Sequence, residues 1–225
     1  MVAWFDDAAQ ERIAAAITEA ESFTAGEILC TYSNERHRYV EWVLALAAAI
    51  AFIVPLVSTL AGFGPTQWAA AVGIWQAAPL TDAETVEIYA LVQVMLLVVA
   101  TLALWWSPLA QRFAPLSMRR DRVHDMALKQ FLARGIHITE NRTGVLIHLS
   151  VEDHVVEVVA DEGIYRCVAP DHWADTAAAL LAGVKRGDPT QGYVDAIAMA
   201  GSVLSVHFPP TPDNPDELPN RLLIV

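Results

Sequence analysis

Charge is missing from two long stretches of this chain. No Asp, Glu, Lys or Arg occurs from Trp42 to Thr81, and none from Ile88 to Gln111. Charged residues make up 18% of the 225 residues, against about 25% in soluble domains, and these two stretches hold the deficit. Basic residues are scarce as well: 14 Lys and Arg against 26 Asp and Glu leave a net charge of −12. No basic stripe with interleaved aromatics occurs, which argues against a nucleic-acid partner, because phosphate contacts need clustered cations. Cysteine is limited to Cys30 and Cys167, neither in a CxxC pair nor at a metal-like spacing from histidine. Zinc and redox motifs are therefore not expected, and both thiols are read as buried and reduced. P-loop, GxGxxG and nucleophile-elbow patterns are also missing. The acidic start, Met1 to Asp7, has no basic n-region and no immediate apolar run, so it is not read as a signal peptide. The N-terminus is expected in the cytoplasm, with the first apolar helix as its own insertion signal.

What fills the uncharged stretches is apolar sequence of spanning length. A helix needs about 20 apolar residues to cross a bilayer, and Val43–Ala61 and Ile88–Trp106 both qualify. Pro55 is tolerated in such a helix, with a kink expected. Trp42, Tyr89, Trp105 and Trp106 stand at the span ends as interfacial anchors. Arg36 and Arg38 precede the first span, and Arg112, Arg119, Arg120 and Arg122 follow the second. The connection, residues 62–87, has no basic residue. This asymmetry predicts a basic collar on the cytoplasmic side, both termini cytoplasmic and the connection outward. Within the connection, Gln67–Ala78 is apolar but too short to span; it is read as an interfacial helix with Trp68 and Trp75 at headgroup depth.

The flanks read as one α/β domain, residues 1–40 and 112–225, around the hairpin of residues 41–111. Asp6–Glu21 has helical spacing, with Ile13, Ala16, Ile17 and Ala20 on one face. Glu27–Tyr32 is a predicted strand. Past Pro115, Ser117 or Asp121 is expected to cap a helix to about Arg134, with Val123, Ala127, Leu128 and Phe131 as its apolar face. Gly135 ends that helix and residues 141–144 turn. Val145–Leu149 and His154–Ala160 are predicted strands forming a hairpin. Asp171–Val184 and Thr190–Val206 are predicted helices, the second turning Tyr193, Ile197, Val203 and Leu204 inward. After an extended Pro-rich segment, Leu222–Val225 is read as a short strand or a surface-docked end.

These stretches resemble the TPM domain, the family of thylakoid photosystem-repair proteins, bacterial secreted relatives and nematode receptor-associated membrane proteins. Ile13–Ile28, Ala127–Leu149 and Val155–Ile164 carry the resemblance, together with Trp173, Gly187–Ala198, His207-Phe208-Pro209 and Asp216–Asn220. It implies a small α/β sandwich about a central sheet, here with a two-helix transmembrane hairpin inserted after the first strand. The chain departs from the commonest pattern in that insertion and in lacking the signal peptide of exported members. A bacterial inner membrane, spanned more than once, is the expected location.

Some relatives are described as weak acid phosphatases and some bind divalent metal, so the resemblance implies Ca²⁺ or Mg²⁺ as possible ligands. The acids at strand ends that would carry this are Asp161, Glu162, Asp171, Glu27 and Glu140. Hard cations want several converging oxygens, and strand-end loops of α/β sheets are where such convergence occurs. Asp161, in ADEGI, aligns with the family's strand-end motif. The plainer alternatives are an N-cap for Asp171, a solvated Glu162 and a surface strand position for Glu27. His148 and His154 flank the strand turn and could approach each other, though satisfied structural histidines are the commoner outcome. The expected role is an accessory module that interacts with another membrane protein in assembly or quality control. A divalent-metal phosphatase of low activity is the alternative, and oligomerisation stays open.

Overall fold

The computed structural model describes residues 5–35, 39–71, 73, 80–107, 113–138, 142–211 and 217–225. Arg36, Arg38, Arg112, Trp75 and Glu140, singled out above, lie outside the described residues. The chain divides into two compact units: Met1–Arg36 with Leu116–Val225, and His37–Pro115.

The first unit is mixed α/β. Helix α1 spans Asp7–Glu21, with the Asp6 carboxylate accepting from Ala9 N at 2.8 Å as its N-cap. Strand β1 is Glu27–Ser33. After the second unit comes α5, Leu116–Ala133, then a 3₁₀ turn at Ile136–Ile138. Strands β2, Gly144–Ser150, and β3, Val155–Ala160, follow, then the short helix α6, Glu162–Tyr165. Helices α7, Pro170–Arg186, and α8, Pro189–His207, precede β4, Leu222–Ile224. Both α7 and α8 begin with proline, whose fixed φ suits a first helical turn and whose missing N–H costs nothing there.

The four-stranded sheet has the order β3-β2-β1-β4. β1 pairs in parallel with β2, from Glu27 against Gly144 to Ser33 against Ser150. β3 closes an antiparallel hairpin on β2. β4 adds to the far side of β1 in parallel, which resolves the reading of residues 222–225 in favour of a strand.

Alternation along the strands separates two cores. On one face Ile28, Cys30, Tyr32, Val145, Ile147, Leu149 and Val158 pack beneath α1, α7 and α8, which contribute Ile13, Ile17, Leu180, Tyr193 and Ile197. On the other, Leu29, Leu146 and Val159 meet Ala127 and Phe131 of α5 and Ile136 of the 3₁₀ turn. Helices thus cover both faces of the sheet.

Two local readings change. Ser117 and Asp121 both lie inside α5, which begins directly after Pro115, so neither caps it. Leu128 is exposed, because the stripe that reaches the sheet is Val123, Ala127 and Phe131, at spacings of four. In the apolar connecting segment Pro65–Ala71 is helical (α3), and residues 72 and 74–79 of the expected interfacial helix lie outside the described residues.

The second unit pairs α2, Val40–Leu60, with α4, Asp82–Trp106. Both are long and apolar enough to cross a membrane. Val43, Ala47, Ala51 and Pro55, spaced by four, make the inward stripe of α2, where small side chains let two helices approach closely. Outward faces stay apolar: Phe52 is 60% exposed, Leu60 80% and Leu91 68%. A capping box opens α4, with Thr81 N donating to Glu84 Oε2 at 2.8 Å and Glu84 N to Thr81 Oγ1 at 3.3 Å.

Helices α7 and α8 touch through paired glycines. A Cβ on Gly192 would stand 2.8 Å from the Leu180 carbonyl oxygen and 3.1 Å from Gly183 Cα. These are backbone atoms with no rotamer to yield. Gly192→Ala is therefore expected to destabilise the chain by about 1–3 kcal/mol, measured as the urea midpoint of the detergent-solubilised protein. An unchanged midpoint would contradict the close contact.

Candidate functional site

One end of the sheet brings Glu27 and Asp161 near each other. β1 and β2 begin there and β3 ends there, so Glu27 is paired with Gly144 and Asp161 N donates to Gly144 O at 2.9 Å. Glu27 and Asp161 thus flank the first residue of β2, on strands about 10 Å apart. Glu27 is buried, contrary to a surface strand position, and its Oε2 accepts from Leu218 N at 3.2 Å. Asp161 is buried as well. Its Oδ1 caps α6, accepting from Glu162 N at 2.6 Å, while Oδ2 is buried with no hydrogen-bond partner among the described residues. Glu21 reaches the same end of β1, accepting from Ile28 N at 2.8 Å.

Glu162 and Asp171 lie at the surface instead. Glu162 is exposed and pairs with Arg166 one helical turn on. Asp171 is exposed in the first turn of α7. It is not the N-cap, because Ala169 holds that position and Pro170 follows it. Asp171 instead sets a negative charge against the helix dipole. Among the described residues no three His, Cys, Asp or Glu side chains group as metal ligands. A hard cation asks for several converging oxygens, and at this edge Asp161 Oδ2 is buried with no hydrogen bond to a described residue.

A second constellation escaped the sequence reading. Thr31, Ser33, His148 and Ser150 are all buried on the α5 face of the sheet. Parallel register sets Thr31 beside His148 and Ser33 beside Ser150. Thr31 Oγ1 lies 2.9 Å from His148 Nδ1, and Ser150 Oγ donates to Asp153 Oδ2 at 2.9 Å. Helix α5 supplies Arg119, whose Nη1 donates to Asp153 O at 3.1 Å, and His124, whose Nδ1 is 2.7 Å from Glu157 Oε1. Arg120 and Arg122 share that turn of α5, Arg120 exposed and Arg122 half-buried. The signal was present in EILCTYS and GVLIHLS, where polar residues fall at every second position near the strand ends. Ser150 donates to Asp153 and His148 meets Thr31, which makes a buried polar layer under α5. His154 is elsewhere: it sits exposed in the β2–β3 turn with φ 53°, its Nδ1 3.3 Å from Glu152 O. The two histidines flanking the turn thus engage different partners.

The aromatic anchors can be placed in part. Trp42 lies in the first turn of α2, and Trp105 and Trp106 close α4, Trp106 being 84% exposed. Trp68 of α3 stacks on Tyr89 at 5.9 Å, and its Nε1 donates to Ser58 Oγ at 3.1 Å.

The cysteines divide. Cys30 is buried as expected, but Cys167, just past α6, is exposed. Burial, and then the Glu21 carboxylate, push the Cys30 thiol far above its usual range. Tyr193 is likewise raised, by burial first and then by Cys30 and Tyr32, and its hydroxyl donates to Thr31 O at 2.8 Å. Raised pKa values mean that the folded chain keeps protons which the unfolded chain releases. Stability from these groups is therefore complete below about pH 9 and declines above it. The melting temperature is expected to fall between about pH 9 and 11, and a flat or rising profile there would contradict the burial of this pair.

No family model matches the chain, and no curated protein does. Among solved structures, the NMR structure of the BA42 protein from the psychrophilic bacterium Bizionia argentinensis is similar, with TM-score 0.57 and 21% sequence identity over 100% of this chain and 98% of that one. The likeness is one of fold.

Proposed function

We propose that the chain is a TPM-like α/β module held in the bacterial inner membrane by α2 and α4. In this reading its α/β unit lies on the cytoplasmic side and serves as an accessory for other membrane proteins, in their assembly or quality control. The observation that carries the anchoring is the outward apolar face of both helices, with Phe52, Leu60 and Leu91 uncovered by the rest of the chain. Water would penalise that surface at roughly 25 cal/mol per Å²; hydrocarbon does not. Orientation follows from the basic residues, which flank the apolar helices and are missing between them. The accessory role is supported by the polar layer beneath α5, where Thr31 meets His148 and Ser150 donates to Asp153 within the sheet and its turn.

Topology is tested with an impermeant maleimide. Exposed Cys167 should react in inside-out vesicles and not in intact spheroplasts, and Thr66→Cys in a Cys167→Ser background should do the reverse. Equal labelling from both sides would reject the arrangement.

A divalent-metal phosphatase is the second reading, favoured by the buried Asp161 Oδ2, which has no partner among the described residues, at the sheet edge it shares with Glu27. The full-length protein in lipid nanodiscs, given Ca²⁺ or Mg²⁺ and p-nitrophenyl phosphate, separates the two. Hydrolysis no faster than that of Asp161→Asn supports the accessory role, and hydrolysis that Asp161→Asn abolishes replaces it with the enzyme.

A further inference from the structure

The apolar helices carry a polar side chain that the described residues leave unmet. In α4 the Thr101 hydroxyl donates to the Leu97 carbonyl at 2.6 Å, one turn back, and so brings no unpaired group into the helix surface. Thr59 and Thr85 do likewise, donating to Pro55 O at 2.8 Å and Thr81 O at 3.0 Å. Gln93 differs, since its amide forms no hydrogen bond to any described residue. It lines an open crevice of about 320 Å³ with Thr85, Val86, Tyr89 and Ala90 of its own helix, closed on one side by Thr59 of α2 and Pro65 of α3.

Position makes this expensive. Gln93 is six residues inside Glu87, ~9 Å along the helix at 1.5 Å per residue. Acyl chains offer neither donor nor acceptor, and an unmet amide in hydrocarbon costs several kcal/mol. The residues around it form a pattern. Val86, Ala90, Gln93 and Leu97 recur four, three and four residues apart, which is heptad spacing, and all but Gln93 are exposed. A lone amide in an apolar heptad seam is the device that fixes register and partner number between helices.

We infer that this seam is where two copies of the chain meet, α4 against α4 about a two-fold axis, with the two Gln93 amides bonded to each other. The inference rests on the membrane anchoring proposed above. A second copy is favoured because an isologous contact brings a residue to its own counterpart, and an amide is complementary to itself. Each Gln93 carbonyl accepts from the opposing N–H, so one residue supplies both bonds. No charged side chain lies between Glu87 and the end of α4, so identical seams meet without repulsion. A lipid chain would fill the crevice volume and leave the amide unmet, and a lipid ester would use only its donors.

The full-length chain, dye-labelled at exposed Cys167, is reconstituted into phosphatidylethanolamine–phosphatidylglycerol vesicles and washed with alkaline carbonate. Bleaching steps per vesicle are counted as the protein-to-lipid ratio is lowered. Two-step traces should exceed chance co-capture, and Gln93→Leu should raise the ratio for half-dimerisation by about tenfold. Gln93→Asn, which keeps an amide, should stay close to the unmodified chain. Identical behaviour of Gln93→Leu and the unmodified chain overturns the inference. So do single-step traces at every ratio from carbonate-resistant chains, which would mean that lipid fills the crevice. Chains released by carbonate overturn the anchoring, and this inference with it.

Discussion

β1 and β2 exchange a full parallel ladder although Thr31 and His148, which face each other in it, are 117 residues apart in the chain. A parallel pair cannot close through a tight turn and requires a crossover. Here the crossover runs through α2, α3, α4 and α5. Each further element of the α/β unit leans on that ladder. β3 pairs with β2, β4 with β1, and α1, α7 and α8 cover one face of the resulting sheet while α5 covers the other. The entropy of closing so long a connection grows only logarithmically with its length, so the separation is tolerable at equilibrium. Its cost is kinetic, because non-local strand pairing is slow to nucleate.

Much of this was legible because the apolar spacing is clean. The runs VLIHL and HVVEVVA gave both β2 and β3, and a period near four placed Ile13 and Ile17 of α1 and Tyr193 and Ile197 of α8 in one core. Misreadings cluster where local chemistry had competitors. Asp171 is a good N-cap residue, yet Pro170 beside it fixes the first helical position and moves the cap to Ala169. Leu128 is apolar but one position off the stripe that α5 presents to the sheet. Cys167 sits in an apolar run that turns out to be the exposed end of a single helical turn.

The site was legible by halves. Asp161 and Glu27 could be placed near strand ends from sequence, but only the register reveals that both ends lie at one edge of the sheet, with Gly144 between them. The polar layer of Thr31, His148, Ser150 and Asp153 was hidden for a different reason. In a strand buried on both faces, periodicity marks no side as outward, so isolated polar residues look like interruptions instead of a shared stripe. The parallel pairing aligns them, and α5 then adds Arg119 and His124 from above.

β4 has a consequence for how the chain meets its environment while it is being made. It is short, it is drawn from residues 222–224, and the backbone N–H of Val225 still donates to Tyr32 O at 3.0 Å. Until those residues arrive, β1 presents an open row of donors and acceptors along Cys30 to Tyr32, flanked by apolar side chains. Such a row is a template for any other strand. The last residues described therefore act as a seal, and a chain stopped a few positions short would be a folded domain with an adhesive edge.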